Sequence, residues 1–501
     1  MSGSSLSKAW VAFPLVGWLV MSLIFFAAWN ETNSSHDRYL IADMASAYNL
    51  ALDIAADPSA MLDWVLPSAN YLFPEQIVLV PFAASGWRFD EVIPYYGAVM
   101  LVILAIGSFA LAIQIVSPQS AAAVSTLTVA AVGAMPVIGA YPGYLLAAPN
   151  FHASIPALLP AVLAFVINSA KRRPSDAGAW RGAIPALLTA AALGFSDRLT
   201  LVCLTAPLLA GLCIAAIAMA PYRRGCLSLG LALLCFSGGG ALLDFLWRPD
   251  NPGAHVGLAI GEFFSNSVDI WRLSGNLRDS LPWTFYATLA TPLAGICALV
   301  AALRSSSRTR EDLAWMIVCG TVTAYYPLVH VVHAASTLEP VVHYRLTDIV
   351  LACLFLPLLA ARMATRLGGE RLGMAGLAAL ALLSTGHAAR SWPHRSFGTP
   401  LLWPFVQCLD NLALRDGLQF GAGEYWDAIP VRPLSRAGLD VVSVGPQLRP
   451  RPWNQTRRIP PDRPYDFVVD NPGIDRMALE RLGTPRAVET CGNRTILIFK
   501  P

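Results

Sequence analysis

Charge is what this sequence has least of. Only 13% of its 501 residues are Asp, Glu, Lys or Arg, whereas 55% are hydrophobic. Soluble domains carry about 25% charged residues, so a soluble globule of this length is excluded. The net charge is +3, too small to imply nucleic acid as a partner. There is no Walker sequence and no GxGxxG in a strand–turn–helix setting, so no cytoplasmic nucleotide site is indicated. None of the nine cysteines falls in a CxxC, which removes the usual zinc and thiol-redox signatures. Tandem repeats and long low-complexity tracts are missing as well.

What the sequence has instead is long apolar runs. They fall at approximately 9–29, 93–115, 121–139, 153–170, 182–195, 199–219, 226–246, 285–303, 313–334, 345–364 and 372–387, about eleven helices by length and apolarity. The first follows Lys8, is longer than a signal-peptide core and has no small-residue cleavage pattern after it, so it reads as a retained helix. Basic clusters stand at Lys8, Lys171-Arg172-Arg173, Arg223-Arg224, Arg304 to Arg310 and Arg362 to Arg371. They mark alternate ends of the runs, as the positive-inside rule requires of cytoplasmic loops. An odd count starting inside places the C-terminus outside. The reading is therefore a multi-pass protein of the cell inner membrane, N-terminus cytoplasmic and C-terminus periplasmic.

The predicted fold class is an α-helical polytopic membrane protein with a small α/β extracytoplasmic C-terminal domain. Residues 1–387 form the transmembrane domain, with a large first outer loop at 30–92 and a second at 247–284; residues 388–501 form the C-terminal domain. Between Arg38 and Ala56, apolar residues recur at helical spacing, which predicts an amphipathic helix in the headgroup region. Ile77 to Ala84 is apolar but too short to span. In the C-terminal domain, Asp440 to Val444, Phe467 to Val469 and Thr495 to Phe499 read as strands and Met477 to Leu482 as a helix. Seven cysteines lie in or beside apolar runs and read as core residues. Cys408 and Cys491 sit near the two ends of the polar domain, where export would let them form a disulfide.

The polar residues capable of chemistry collect on the proposed outer side. Asp37 stands just beyond the first helix and Asp43 lies six residues on; a carboxylate there can act as a base toward an incoming hydroxyl or amine, or be an ordinary loop or helix-start acid. Glu75 opens the short apolar stretch. Asn150 and His152 precede the fourth run; His152 could bind substrate, donate to a phosphate or cap a helix, and with no HxH or HxxxH there, a metal reading is weak. Asp197 and Arg198 sit between two runs, where an ion pair at membrane depth must be paired or used. His343 and Arg345 open the tenth run, against the positive-inside trend, and a guanidinium there can hold a lipid phosphate or pair with Glu339 or Asp348. Gly421-Ala422-Gly423 supply turn glycines, and Tyr425 and Trp426, beside carboxylates, offer a surface for stacking on a sugar or form a domain core.

The long first outer loop bearing Asp37 and Asp43 beside an amphipathic helix, the number of spans and the outer C-terminal domain together resemble the GT-C glycosyltransferases, such as protein O-mannosyltransferases and the aminoarabinose transferase of lipid A. Those O-mannosyltransferases carry paired Asp-Glu in that loop, where this chain has His36-Asp37. The resemblance implies a polyprenyl-phosphate sugar as donor and a cell-envelope glycan, lipid or protein as acceptor. By the same resemblance Asp37 is the general base or positions the acceptor, with Asp43 the second catalytic acid, and Arg345 with His343 or Arg198 holds the donor phosphate. His152, Asn150, Asp197, Glu75, Tyr425 and Trp426 are then substrate-binding residues. No cofactor is required beyond the lipid-linked donor, with room left for a divalent metal. Membrane lipids are the remaining partner. A ligase or polymerase of lipid-linked glycans shares these features. A transporter is the rival of another class, with Asp244 and Asp348 its best intramembrane acids; a non-enzymatic scaffold is the third.

Overall fold

The computed structural model describes residues 3–31, 42–66, 69–138, 145–146, 148–149, 152–172, 177–247, 260–280, 282–305, 309–335, 346–391, 404–451, 455–456 and 463–500. The chain divides into two compact units. One comprises Met1–Ala28, Ser68–Phe73 and Gly97–Pro393; the other comprises Trp29–Pro67, Pro74–Tyr96 and His394–Pro501.

The first unit is helical. Its elements are α1 (Gly3–Glu31), most of α4 (Phe89–Ala112), α5 (Pro118–Ile138), α6 (Ser154–Ala170), α7 (Ala177–Ser196), α8 (Ala206–Ala218, entered through a π turn at Leu201–Thr205), α9 (Arg223–Trp247), α10 (Phe263–Ser280), α11 (Pro282–Arg304), α12 (Arg310–Ala334), α13 (Leu346–Arg366) and α14 (Glu370–Ser391). Each of the eleven apolar runs therefore folds as a helix. Among the described residues, seven helices are long and apolar enough to cross a membrane: Phe89–Ala112, Pro118–Val137, Leu201–Ala218, Ala220–Trp247, Pro282–Arg304, Arg310–Ala334 and Leu346–Arg366. Leu231, Leu242, Leu243 and Leu246 on α9 and Leu293 on α11 are exposed, as lipid-facing residues are. Association without a water-driven hydrophobic effect relies on close backbone approach at small residues. Where α8 meets α12, a methyl group added at Gly320 would press on the backbone of Gly211.

The second unit joins pieces of the first inter-helix segment to the C-terminal chain. It holds α2 (Ala42–Ala56), β1 (Trp64–Val65), α3 (Glu75–Ala84), α15 (Pro404–Asp416), β2 (Phe420–Gly423), α16 (Tyr425–Ala428), α17 (Val431–Leu434), β3 (Asp440–Ser443), β4 (Gln455–Thr456), β5 (Phe467–Asp470), α18 (Arg476–Glu480), β6 (Ala487–Cys491) and β7 (Arg494–Ile498). Five strands form one mixed sheet in the order β3-β2-β5-β7-β6, with β2 parallel to both neighbours and the β5-β7-β6 side antiparallel. The two remaining strands form an antiparallel pair, Trp64 opposite Thr456 and Val65 opposite Gln455, which links the first segment to the C-terminal chain. Cys408 and Cys491 are joined by a disulfide that closes 83 residues of sequence.

Three expectations are revised here. Gly421-Ala422-Gly423, read as turn glycines, form strand β2 in the middle of the sheet, because the Phe467 ring lies where a side chain at Gly421 would stand. Strand β6 escaped notice because it is an edge strand with the usual pattern reversed, Val488 exposed and Glu489 half-buried. Helix α2 exists, yet it does not present one apolar face to headgroups: Met44 to Ala51 are buried in succession. Protein surrounds it, including α3, α16 and α17.

Candidate functional site

In the helical unit a polar cluster forms around the start of α6 and the turn after α7. The segment 70–73 is stitched to that turn. The backbone N–H of Asn70 donates to Ser196 O (2.9 Å), and that of Phe73 to Ser196 Oγ (2.9 Å). The Asn70 amide donates to Phe195 O (2.7 Å) and to Asp244 Oδ1 (2.9 Å). These bonds fix Tyr71, whose backbone takes the left-handed φ of 50°. Its hydroxyl lies 3.4 Å from Nε2 of His152, which is itself left-handed at φ 58°. Two non-glycine residues in that region, packed on each other, carry conformational strain that the surrounding bonds must hold.

His152 Nδ1 is hydrogen-bonded to Asp197 Oδ2, and Asp197 Oδ1 accepts the N–H of Leu199 at 2.9 Å. The carboxylate is 3% exposed. With Nδ1 bound to a buried acid, Nε2 is the ring nitrogen turned to the Tyr71 hydroxyl. Arg198 turns the other way: its Nε donates to Asp244 Oδ2 at 2.9 Å, and its guanidinium stands 6.0 Å from the Phe245 ring centre. Adjacent in sequence, Asp197 and Arg198 thus do not pair with each other. Each meets a partner far along the chain, which resolves the energetic problem of placing both near the membrane.

In the other unit Asp43 lies in the first turn of α2, where the helix dipole favours an acid. Tyr425, 1% exposed on α16, donates its hydroxyl to Asp43 Oδ1 at 2.7 Å. Burial raises the Asp43 carboxyl above the ordinary aspartate range, and the tyrosine hydrogen bond opposes that rise. Two further bonds grip the same helix. Asn49 donates to Ile429 O (2.9 Å), and Arg432 pairs with Asp53 (2.6 Å). Asp53 also accepts from Trp64 Nε1 at 2.8 Å. Glu75 is fully buried at the start of α3. Trp426 is 51% exposed and stands edge-on to Tyr425, ring centres 5.2 Å apart. The neighbouring acid Asp427 is buried and engaged by Arg494 (2.8 Å) and Asn471 (3.2 Å), so it serves the domain interior.

Of the residues singled out from the sequence, Asp37, Asn150, His343 and Arg345 lie outside the described residues. His152 and Asp197 are brought together, and Arg198 joins the same cluster through Asp244. Asp43 and Tyr425 are brought together in the second unit. Sequence reasoning did not include Asn70 or Tyr71, since neither a left-handed tyrosine nor a backbone stitch leaves a motif. Asp244 did leave a signal, an acid inside an apolar run. Among the described residues, no three His, Cys, Asp or Glu converge closely enough to hold a metal ion.

No protein-family model matches the chain, and no curated protein matches it in sequence. Solved structures do resemble it. The Archaeoglobus fulgidus oligosaccharyltransferase in complex with zinc and sulfate aligns with a TM-score of 0.51 at 11% identity, over 86% of this chain and 62% of that one. The chain thus spans about three fifths of that protein's length. ArnT from Cupriavidus metallidurans, bound to undecaprenyl phosphate, aligns over 99% of this chain and 98% of that one at 14% identity, with a TM-score of 0.47. The apo oligosaccharyltransferase gives 0.45 at 11% identity, over 86% and 64% of the two chains. Helices long enough to cross a membrane, a small C-terminal sheet and this likeness to the oligosaccharyltransferase give the chain a GT-C-like fold.

Proposed function

We propose that the protein is a membrane glycosyltransferase that moves a sugar from a polyprenyl-phosphate carrier to a glycan, lipid or protein of the cell envelope, at the outer face of the inner membrane. The observation that carries this reading is the polar cluster of Asn70, Tyr71, His152, Asp197, Arg198 and Asp244, gathered at helix ends within a fold shared with an oligosaccharyltransferase. A transporter would set such groups within the span of its helices.

In the proposed reaction the acceptor nucleophile attacks the anomeric carbon as the bond from that carbon to the phosphate oxygen breaks. The electron pair of that bond leaves with the lipid phosphate, and the acceptor's proton passes to a carboxylate. Asp37 is the proposed base, with Asp43 as the second acid. Positive charge develops on the sugar and negative charge on the departing phosphate. Arg345, His343 and Arg198 are the proposed phosphate-holding groups, since cations already in place stabilise a leaving anion without reorganisation. His152, with its tautomer set by Asp197, and Asn150 would bind substrate hydroxyls or phosphate. Glu75, Tyr425 and Trp426 would belong to the acceptor side, Trp426 as the exposed ring. No step is routed through a metal.

The test is a comparison of surface glycans and lipids in a deletion strain, a complemented strain and strains expressing Asp37→Asn or Asp43→Asn. A sugar lost on deletion, restored by the wild-type gene and not by an expressed Asp37→Asn protein is the expected result. Full complementation by both variants removes the proposed base, and unchanged glycans and lipids throughout remove the transferase reading.

A further inference from the structure

At the opposite end of α6 from His152 lies a second gathering of charge, which the proposed reaction does not use. Lys171 caps α6, and its Nζ donates to the main-chain and side-chain oxygens of Gln114 (2.8 and 3.0 Å) beyond the end of α4. At the start of α12, Asp312 Oδ2 accepts from Thr309 in a capping box. Its Oδ1 accepts from Arg362 (2.8 Å) and Arg366 (3.1 Å), both near the end of α13. Arg362 donates in addition to Ile115 O (3.2 Å) and lies 5.3 Å from the Trp315 ring centre. Glu370, at the start of α14, accepts from Ser117 and Ser120. Lys171 is within electrostatic reach of Glu311, Arg310 and Arg362.

Among the described residues the charges here do not balance. Lys171, Arg310, Arg362 and Arg366 outnumber Glu311, Asp312 and Glu370, and Asp312 is already divided between two guanidiniums and a helix cap. Helix C-terminal carbonyls offset part of the excess. Arg362 is only 7% exposed, yet its Nε–H has no hydrogen-bond partner among the described residues. A buried donor left idle is expensive unless something external takes it. Beside it, Arg366 is half exposed, and apolar side chains at this end of α13 and the start of α14 are open: Met363 is 54% exposed, Leu367 80% and Leu372 81%. A cation with an unfilled donor next to a bare apolar strip matches a molecule with an anionic head and hydrocarbon tails.

We propose that this end of the helical unit binds the phosphodiester headgroup of an anionic membrane lipid, held by Arg366, Arg362 and Lys171, with the acyl chains along Met363, Leu367 and Leu372. The site is independent of the glycosyltransferase reading. An anionic lipid here would tie the ends of α6, α12 and α13 together through a charge that the chain does not supply.

The test is native mass spectrometry of the full-length protein released from nanodiscs, with lipid retention measured for phosphatidylglycerol against phosphatidylcholine. The half-exposed Arg366 and the peripheral Lys171 are changed together, as Arg366→Gln with Lys171→Gln. Arg362 is left in place because its loss would endanger the fold. Wild-type protein is expected to retain one phosphatidylglycerol in preference to phosphatidylcholine. The double variant should hold it roughly thirtyfold less well, with unchanged circular dichroism. Millimolar inorganic phosphate is the second arm. If it displaces no lipid, the hydrocarbon strip contributes as proposed; if it binds alone and lipid does not, the site is a soluble-phosphate site and the lipid assignment falls. Equal retention of the two lipids, or unchanged retention in the double variant, would mean that the charges form a helix clasp and nothing more.

Discussion

Removing the hydroxyl of Tyr425 isolates one bond on which the loop helix α2 depends. Tyr425→Phe keeps the ring and its packing but deletes the 2.7 Å hydrogen bond to Asp43. A hydrogen bond to a charged group contributes about 1.5–3 kcal/mol, whereas one between neutral groups contributes about 0.5–1.5 kcal/mol. The tyrosine is enclosed and the carboxyl desolvated, so water cannot fully replace the lost donor. The helix has other anchors, Asn49 to Ile429 and Asp53 to Arg432, so local opening rather than global unfolding is the quantity to follow. Amide hydrogen exchange of residues 45–51 should quicken by about ten- to a hundredfold in Tyr425→Phe. In an Asp43→Asn background the same change should matter clearly less, since the lost bond is then neutral to neutral.

The pH dependence has a definite sign. The tyrosine bond favours the ionised carboxyl, so its contribution is present while Asp43 is ionised and is lost as pH falls through the raised folded-state value. The exchange difference between wild type and Tyr425→Phe should therefore shrink toward acid. If α2 exchanges at the same rate in both proteins, or the effect is equally large in the Asp43→Asn background, the assignment of α2 order to this bond is refuted.

Three other outcomes are expected. Replacing Cys408 and Cys491 by serine opens a loop of 83 residues and should destabilise the C-terminal sheet by about 4.5 kcal/mol in the chain-entropy treatment; pulse proteolysis would measure it, and two freely alkylated thiols in the native protein would deny the disulfide altogether. Gly421→Ala forces a methyl group against the Phe467 ring at the centre of the sheet and should cost about 1–3 kcal/mol by the same assay, whereas Gly438→Ala, a left-handed position with open space around it, should lose only its backbone preference, about 1 kcal/mol. Asp244→Ala leaves Arg198 without this carboxylate and Asn70 with one acceptor fewer; a loss of about 3–5 kcal/mol is expected, and a thermal scan in detergent that shows no change would place those groups in water.

The sequence made some of this visible and hid the rest for identifiable reasons. Strands β3, β5 and β7 were legible because Val441, Val442, Phe467 to Val469 and Ile496 to Ile498 are continuous apolar runs between turn residues. The eleven helices were legible because lipid-facing and core-facing positions are both apolar, but for the same reason the sequence did not distinguish helices of spanning length from shorter ones such as α6. Strand β2 was hidden because its glycines accommodate another residue's ring, a relation that exists only across the sheet. The link from Asp197 to His152 joins residues 45 positions apart, and that from Tyr425 to Asp43 joins residues 382 apart. Sequence can nominate both partners of such a pair, as it did here, but the pairing is a property of topology. The burial of α2 was misjudged because its apolar spacing fits one wet face equally well, and its cover comes from two distant stretches, α3 with the Trp87–Phe89 turn and the C-terminal chain.

That last point bears on how the protein is made. Helix α2 leaves the ribosome early, but Tyr425, Ile429 and Arg432, which hold it, belong to the final fifth of the chain. At roughly 5–20 residues per second, the helix waits about 20–80 seconds for its partners. During that interval α2 has α3 and the Trp87–Phe89 turn against it, but Asp43, Asn49 and Asp53 still lack Tyr425, Ile429 and Arg432. A chain cut short before residue 425 would never form those three bonds. Completion of synthesis and assembly of the Asp43 region are therefore the same event, and a prematurely terminated product is marked by the polar groups it leaves unmet.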